Sequence, residues 1–202
     1  MIARWFCLAH RRMYLAAFLL DFSVAIGLTA MPFFIYERLN GGVALSGTVG
    51  AVQMAVYAIG CFLSAGFVSR ARNSLHLALL GVAVFALMFA TLPWVSTSAL
   101  CIVTASAPFL GLALAWPALQ AWLGQEPDPV ARARHLAGFN IATAFGFTLS
   151  PLLAGPLYDA DFRLPFIALV ALCVAVLGLI VSLSRVDARP RAEQGEQDNA
   201  QD

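Results

Sequence analysis

The sequence predicts an all-α membrane protein with six transmembrane helices, and three observations carry that reading. Hydrophobic residues make up 61% of the 202-residue chain and charged residues only 11%, whereas soluble domains carry roughly 25% charged residues. Six apolar runs are each long enough to cross about 30 Å of hydrocarbon, which takes around 20 residues. The arginines gather in alternate breaks between those runs, as the retention of positive charge on the cytoplasmic side requires.

The first run, about 13–35, follows Arg4, Arg11 and Arg12. It is too long for a signal-peptide core and has no clear small-residue cleavage site, so it reads as a first membrane span. ERLNGG then separates it from a second run at 45–67, and SRARNS separates that from a third at 75–94. PWVSTS leads into the fourth, 98–122. GQEPDPVARAR precedes the fifth, 135–157, and YDADFR precedes the sixth, 164–184. With residues 1–12 inside, ten arginines fall on the inner side (Arg4, Arg11, Arg12, Arg70, Arg72, Arg132, Arg134, Arg185, Arg189 and Arg191) and only Arg38 and Arg163 fall outside. Both termini are therefore expected in the cytoplasm, with the chain in the cell (inner) membrane. Residues 13–184 form the transmembrane domain, and the polar tail 185–202 is expected to be disordered.

Lysine is absent, which codon bias explains. No basic run is dense enough for nucleic acid. Cys7, Cys61, Cys101 and Cys173 are scattered, with no CxxC and no histidine at metal-ligand spacing, so neither metal nor cofactor is expected.

Polar residues are unevenly shared. Span one holds Asp21, Ser23 and Thr29, and span two Gln53, Tyr57 and Ser64. Span four holds Thr104, Ser106 and Gln120, and span five Asn140, Thr143, Thr148 and Ser150, while spans three and six are nearly free of polar groups. Hydrogen-bonding side chains should face a bundle interior or a wet cavity. Spans one, two, four and five are thus expected to line an interior, with three and six outside. Asp21 lies about nine residues, roughly 13 Å, into its helix, near the midplane. A charge there costs about 2.5–3.5 kcal/mol on insertion scales, which makes Asp21 the candidate proton carrier. Candidates for a substrate cavity are Gln53, Tyr57, Trp116, Gln120, Asn140, Thr143 and Phe147. For any one Ser, Thr or Gln the alternative is structural glue, bonded to its own helix or a neighbour. Trp122 reads as an interfacial anchor. Gly47 and Gly50, and then Gly138 and Gly146, are small residues that let helices approach closely.

On these residues the sequence resembles the N-terminal half of a major facilitator superfamily transporter, over about 13–184. Its best-matched stretch is 111–159. There Gly138, Gly146, Ser150-Pro151 and Ala154-Gly155 look like the glycine-proline motif of antiporter branches. After the second span, GFVSRARNS keeps Gly66, Arg70 and Arg72 of a gating motif, with Arg70 in place of an aspartate and Asn73 in place of a glycine. In the fourth span Ala107 stands where the family has an arginine often implicated in proton coupling. The resemblance implies half of a major-facilitator-type fold built as a 3+3 inverted repeat. LSAGFVSRARNSL (63–75) echoes LLAGPLYDADFRL (152–164) accordingly.

The function expected is secondary active transport by alternating access, in the form of proton-coupled efflux. With no cationic residue in the membrane, the solute is expected to be small, neutral or cationic, and partly apolar. Expected partners are the lipid bilayer, that small-molecule substrate and a second six-helix half, either a copy or a separate chain. A non-transporting assembly partner or an inactive truncated fragment is the alternative. An enzyme is not expected: Ser46 and Ser150 are possible nucleophiles, but His10, His76 and His135 lie at or outside the membrane edge.

Overall fold

The structure, a computed structural model, describes residues 8–71 and 73–185 with their side chains and the backbone at 2–7 and 186–199. Arg72 and Cys7 are outside the residues whose side chains are described, as is the expected disordered tail past Arg185. Among the described residues there is no strand. Among the described residues eight α-helices form six spans: α1 (Ile2–Arg38), α2 (Val43–Arg70), α3 (Ser74–Ala90), α4 (Ser98–Ser106) with α5 (Pro108–Leu123), α6 (Pro129–Leu149) with α7 (Pro151–Ala160), and α8 (Leu164–Asn199). The stretches long and apolar enough to cross a membrane are Leu8–Arg38, Val43–Arg70, Ser74–Trp94, Ser98–Leu123, Pro129–Ala160 and Leu164–Arg185.

Local chemistry sets the ends. Asn40 takes the left-handed conformation at φ 50°, which asparagine tolerates better than most residues, and Gly41 N–H closes the turn on the Ile35 carbonyl at 2.9 Å. Asn73 caps α3 by accepting from Leu75 N–H at 3.1 Å. Span five starts at Pro129, earlier than the expected 135. Asp128 accepts from Val130 N–H and Ala131 N–H at 3.1 and 3.2 Å, and Pro129 occupies the first helical position, where its missing N–H costs nothing. Spans four and five each divide into two helices. Pro108 and Pro151 lack the N–H needed to carry the helical ladder through, so each begins a new helix.

Packing follows a swap of the two three-span halves. Span one packs chiefly on spans five and six, and span four packs chiefly on spans two and three, while three meets six. Exchanging one with four, two with five and three with six leaves that pattern unchanged, as an inverted repeat demands. Two approaches are closest. Gly81 and Gly111 put α3 against α5 backbone to backbone, and Gly146 presses α6 onto α1 at Phe18 and Phe22. Gly60 likewise lets α2 meet Ala113, where an added Cβ would lie 2.7 Å away. Gly47 and Gly50 do not act this way. Nothing lies within 4 Å of a Cβ at either, nor at Gly66 or Gly155. They sit on uncovered faces of α2 and α7.

The core runs between spans one, three, four and six, with Phe34, Phe85, Phe89 and Phe166 fully enclosed. Spans two and five are the least covered: 17% of the most apolar window of each is buried, against 56% for span one and 50% for span four. Spans three and six form the back of the bundle, yet bury more than two and five do, because spans one and four cover one side of them.

Candidate functional site

Four spans contribute to one open cleft of about 220 Å³. Asp21 enters from α1, Tyr57 from α2, Trp116 and Gln120 from α5, and Phe139, Asn140 and Thr143 from α6. Spans three and six provide none of its lining. Asp21 is half-buried, and among the described residues no hydrogen bond or ion pair holds its carboxylate. Gln120 and Asn140 are exposed at the cleft, whereas Tyr57, Trp116 and Thr143 are half-buried. Thr143 donates to the Asn140 carbonyl at 2.9 Å, so its hydroxyl proton is engaged and its oxygen remains an acceptor. The cleft therefore offers an acidic group, two amides and aromatic surface, but no cation.

Helix spacing accounts for the convergence. Trp116 and Gln120 are one turn apart on α5, and Asn140 and Thr143 are one turn apart on α6, so each pair shares a face. Gly146, two turns beyond Phe139, brings α6 onto α1 and holds Asn140 and Asp21 in the same space.

Two expected cavity residues lie elsewhere. Gln53 is 2% exposed and its amide donates to the Ala105 carbonyl at 3.1 Å, tying α2 to α4. It shares a helix face with Tyr57, but the neighbouring span closes over it. Phe147, 51% exposed, lies one turn beyond Thr143 and outside the cleft. Phe139 was missed. It is 1% exposed and packs edge-on against Trp116, with ring centroids 5.5 Å apart at 87°. A phenylalanine between Gly138 and Asn140 gave no polar signal, and its position on the polar face of α6 was the only cue.

Structural glue describes much of the remaining polarity. Thr48, Thr104 and Thr148 donate to carbonyls one turn back. Ser64 donates to the Ala113 carbonyl across to α5 at 2.7 Å, and Ser23 meets the Cys173 sulfur at 3.5 Å. Of the motif residues, Gly138 accommodates the Tyr14 ring, Gly146 meets α1, and Pro151 starts α7. Arg70 is the exposed last residue of α2.

At one end of the bundle the fold joins groups that sequence spacing had kept apart. His10, Glu126 and His135, which show no metal-ligand spacing in the sequence, come together there, one ligand atom of each lying within 4.8 Å of the others. Trp122 lies beside them, its ring 5.8 Å from His10.

No curated protein matches the chain. The family model described as Major Facilitator Superfamily matches residues 13–201, nearly the whole length. With six membrane-capable helices and that match, this multi-pass membrane protein belongs to the Major Facilitator Superfamily, a family of transporters.

Proposed function

We propose that the chain moves a small, neutral or cationic, partly apolar solute across the cell membrane by alternating access, exchanging it for protons as an efflux system. One observation carries the reading: the only acidic side chain deep within a span, Asp21, opens into a cleft shared by four spans and lined by amides and aromatic rings. The absence of a cation from that lining favours a neutral or positively charged solute over an anion. Trp116, Phe139 and Tyr57 supply apolar surface for its less polar part.

In this mechanism Asp21 takes a proton when the cleft faces one side and gives it up when the cleft faces the other. Proton and solute then compete for the carboxylate, and each shifts the population of inward- and outward-facing states. The uncovered faces of spans two and five flank the cleft, and a second six-helix unit would cover them and complete the path. The arginine distribution supports both termini on the cytoplasmic side.

The test is flux driven by a pH gradient in reconstituted vesicles. Asp21→Asn should abolish the response to the gradient while leaving solute binding measurable. Coupled flux that survives the substitution would end the proton-carrier role. Vesicles in which neither protein moves any solute would instead favour a non-transporting assembly partner.

A further inference from the structure

We propose that His10, Glu126 and His135 form a binding site for a divalent transition ion of the zinc class, at the end of the bundle away from the midplane cleft. Each residue offers one ligand atom, and the three atoms all lie within 4.8 Å of one another. They come from three separate places: α1, the connection between α5 and α6, and the start of α6. Two imidazoles and a carboxylate are a donor set suited to zinc and its neighbours, leaving a fourth position for water.

The surroundings support coordination. His10 is 8% exposed, and Glu126 and His135 are half-buried, so a bound ion would be partly shielded from water. Tyr14 Oη lies 2.7 Å from His135 Nδ1. The tautomer with Nδ1–H donating to that oxygen leaves Nε2 as the ligand atom, the other ring N–H being held as in many metal-bound imidazoles. Gly138 makes the contact possible: its missing side chain leaves room for the Tyr14 ring, whose Cζ would lie 3.0 Å from an added Cβ.

Without an ion, the His10 and His135 rings stack at 3.6 Å, 7° from parallel. Coordination occurs in the plane of each ring, so binding turns one imidazole out of the stack. Ligand atoms around a tetrahedral zinc with bonds of 2.0–2.1 Å lie about 3.3 Å apart. Closing the cluster to that spacing draws the α5–α6 connection toward α1 and ties together the ends of spans one, four and five.

The direct measurement titrates the purified 202-residue chain in mild detergent with Zn²⁺ alone, against a chromogenic chelator. One ion per chain is expected, with affinity weakened at least tenfold by His10→Ala or His135→Ala and less by Glu126→Gln. His76→Ala, outside the cluster, should bind as the parent does. Co²⁺ in the unmodified chain should give the intense visible bands of a low-symmetry, four-coordinate site, a readout that needs no variant to fold. His135→Cys removes the ring stack but keeps a ligand, and should retain binding that His135→Ala loses. Equal affinity in the parent and both alanine variants, or Co²⁺ bands no stronger than those of the hydrated ion, would overturn the site.

Discussion

Gly81 on α3 and Gly111 on α5 each stand where the other's side chain would have to go. A Cβ built on Gly81 runs into the Gly111 carbonyl oxygen, and one built on Gly111 runs into that of Gly81. Helices approach this closely in membranes when small residues face each other, since lipid supplies little hydrophobic drive for association. This contact joins the two halves of the repeat along the back of the bundle.

Gly111→Val should therefore destabilise the fold by more than the 1–3 kcal/mol typical of an overpacked core, because the obstruction is backbone and cannot rotate away. Thermal unfolding followed by size-exclusion chromatography in detergent reads the effect. Gly178→Ala, with nothing within 4 Å of its added Cβ, is the control and should leave the midpoint no lower, since alanine favours a helix interior over glycine.

Gln53→Leu separates scaffold from site. The substitution removes the bond to the Ala105 carbonyl at a cost of about 0.6–2 kcal/mol, the range for hydrogen bonds between membrane helices. Stability should fall by that amount while solute binding stays intact. Loss of binding without loss of stability would place Gln53 in the cleft after all.

Water should reach the cleft. Asn140→Cys, at an exposed cleft position, is expected to react with a membrane-impermeant thiol reagent. Cys101 and Cys173, both fully enclosed, should remain unmodified in the folded protein and react only after denaturation. Mass spectrometry of the labelled chain distinguishes the three positions.

Asp128→Ala removes the cap of α6. A loss of about 1 kcal/mol is expected, together with faster amide exchange confined to the first turn after Pro129. Uniform exchange along the helix would show that the cap does not hold that end.

The sequence displayed its six spans because charge and turn formers interrupt apolar runs, and the bilayer makes both costly inside it. It also indicated which spans form the cleft, since Asp21, Tyr57, Gln120 and Asn140 are polar where polarity is expensive. What it concealed depended on neighbours. Gln53 and Tyr57 lie on one helix face and look alike in sequence, yet α4 covers only Gln53. Phe139 contributes aromatic surface without any polar signature. His10 and His135 meet only because span one packs on span five, a pairing that local periodicity does not encode. Pro108 was visible, but whether a proline kinks a span or ends a helix depends on packing.

Span one's preference for spans five and six over span two has a consequence for biosynthesis. The ribosome delivers Asp21 to the membrane long before Asn140 and the rest of α6 exist, when Tyr57 of span two is the first of its cleft neighbours to follow. Until the fifth span emerges, the nascent first span carries a costly carboxylate with its eventual neighbours still unmade. Crosslinking of stalled nascent chains should accordingly find span one beside the insertion machinery until the fifth span arrives.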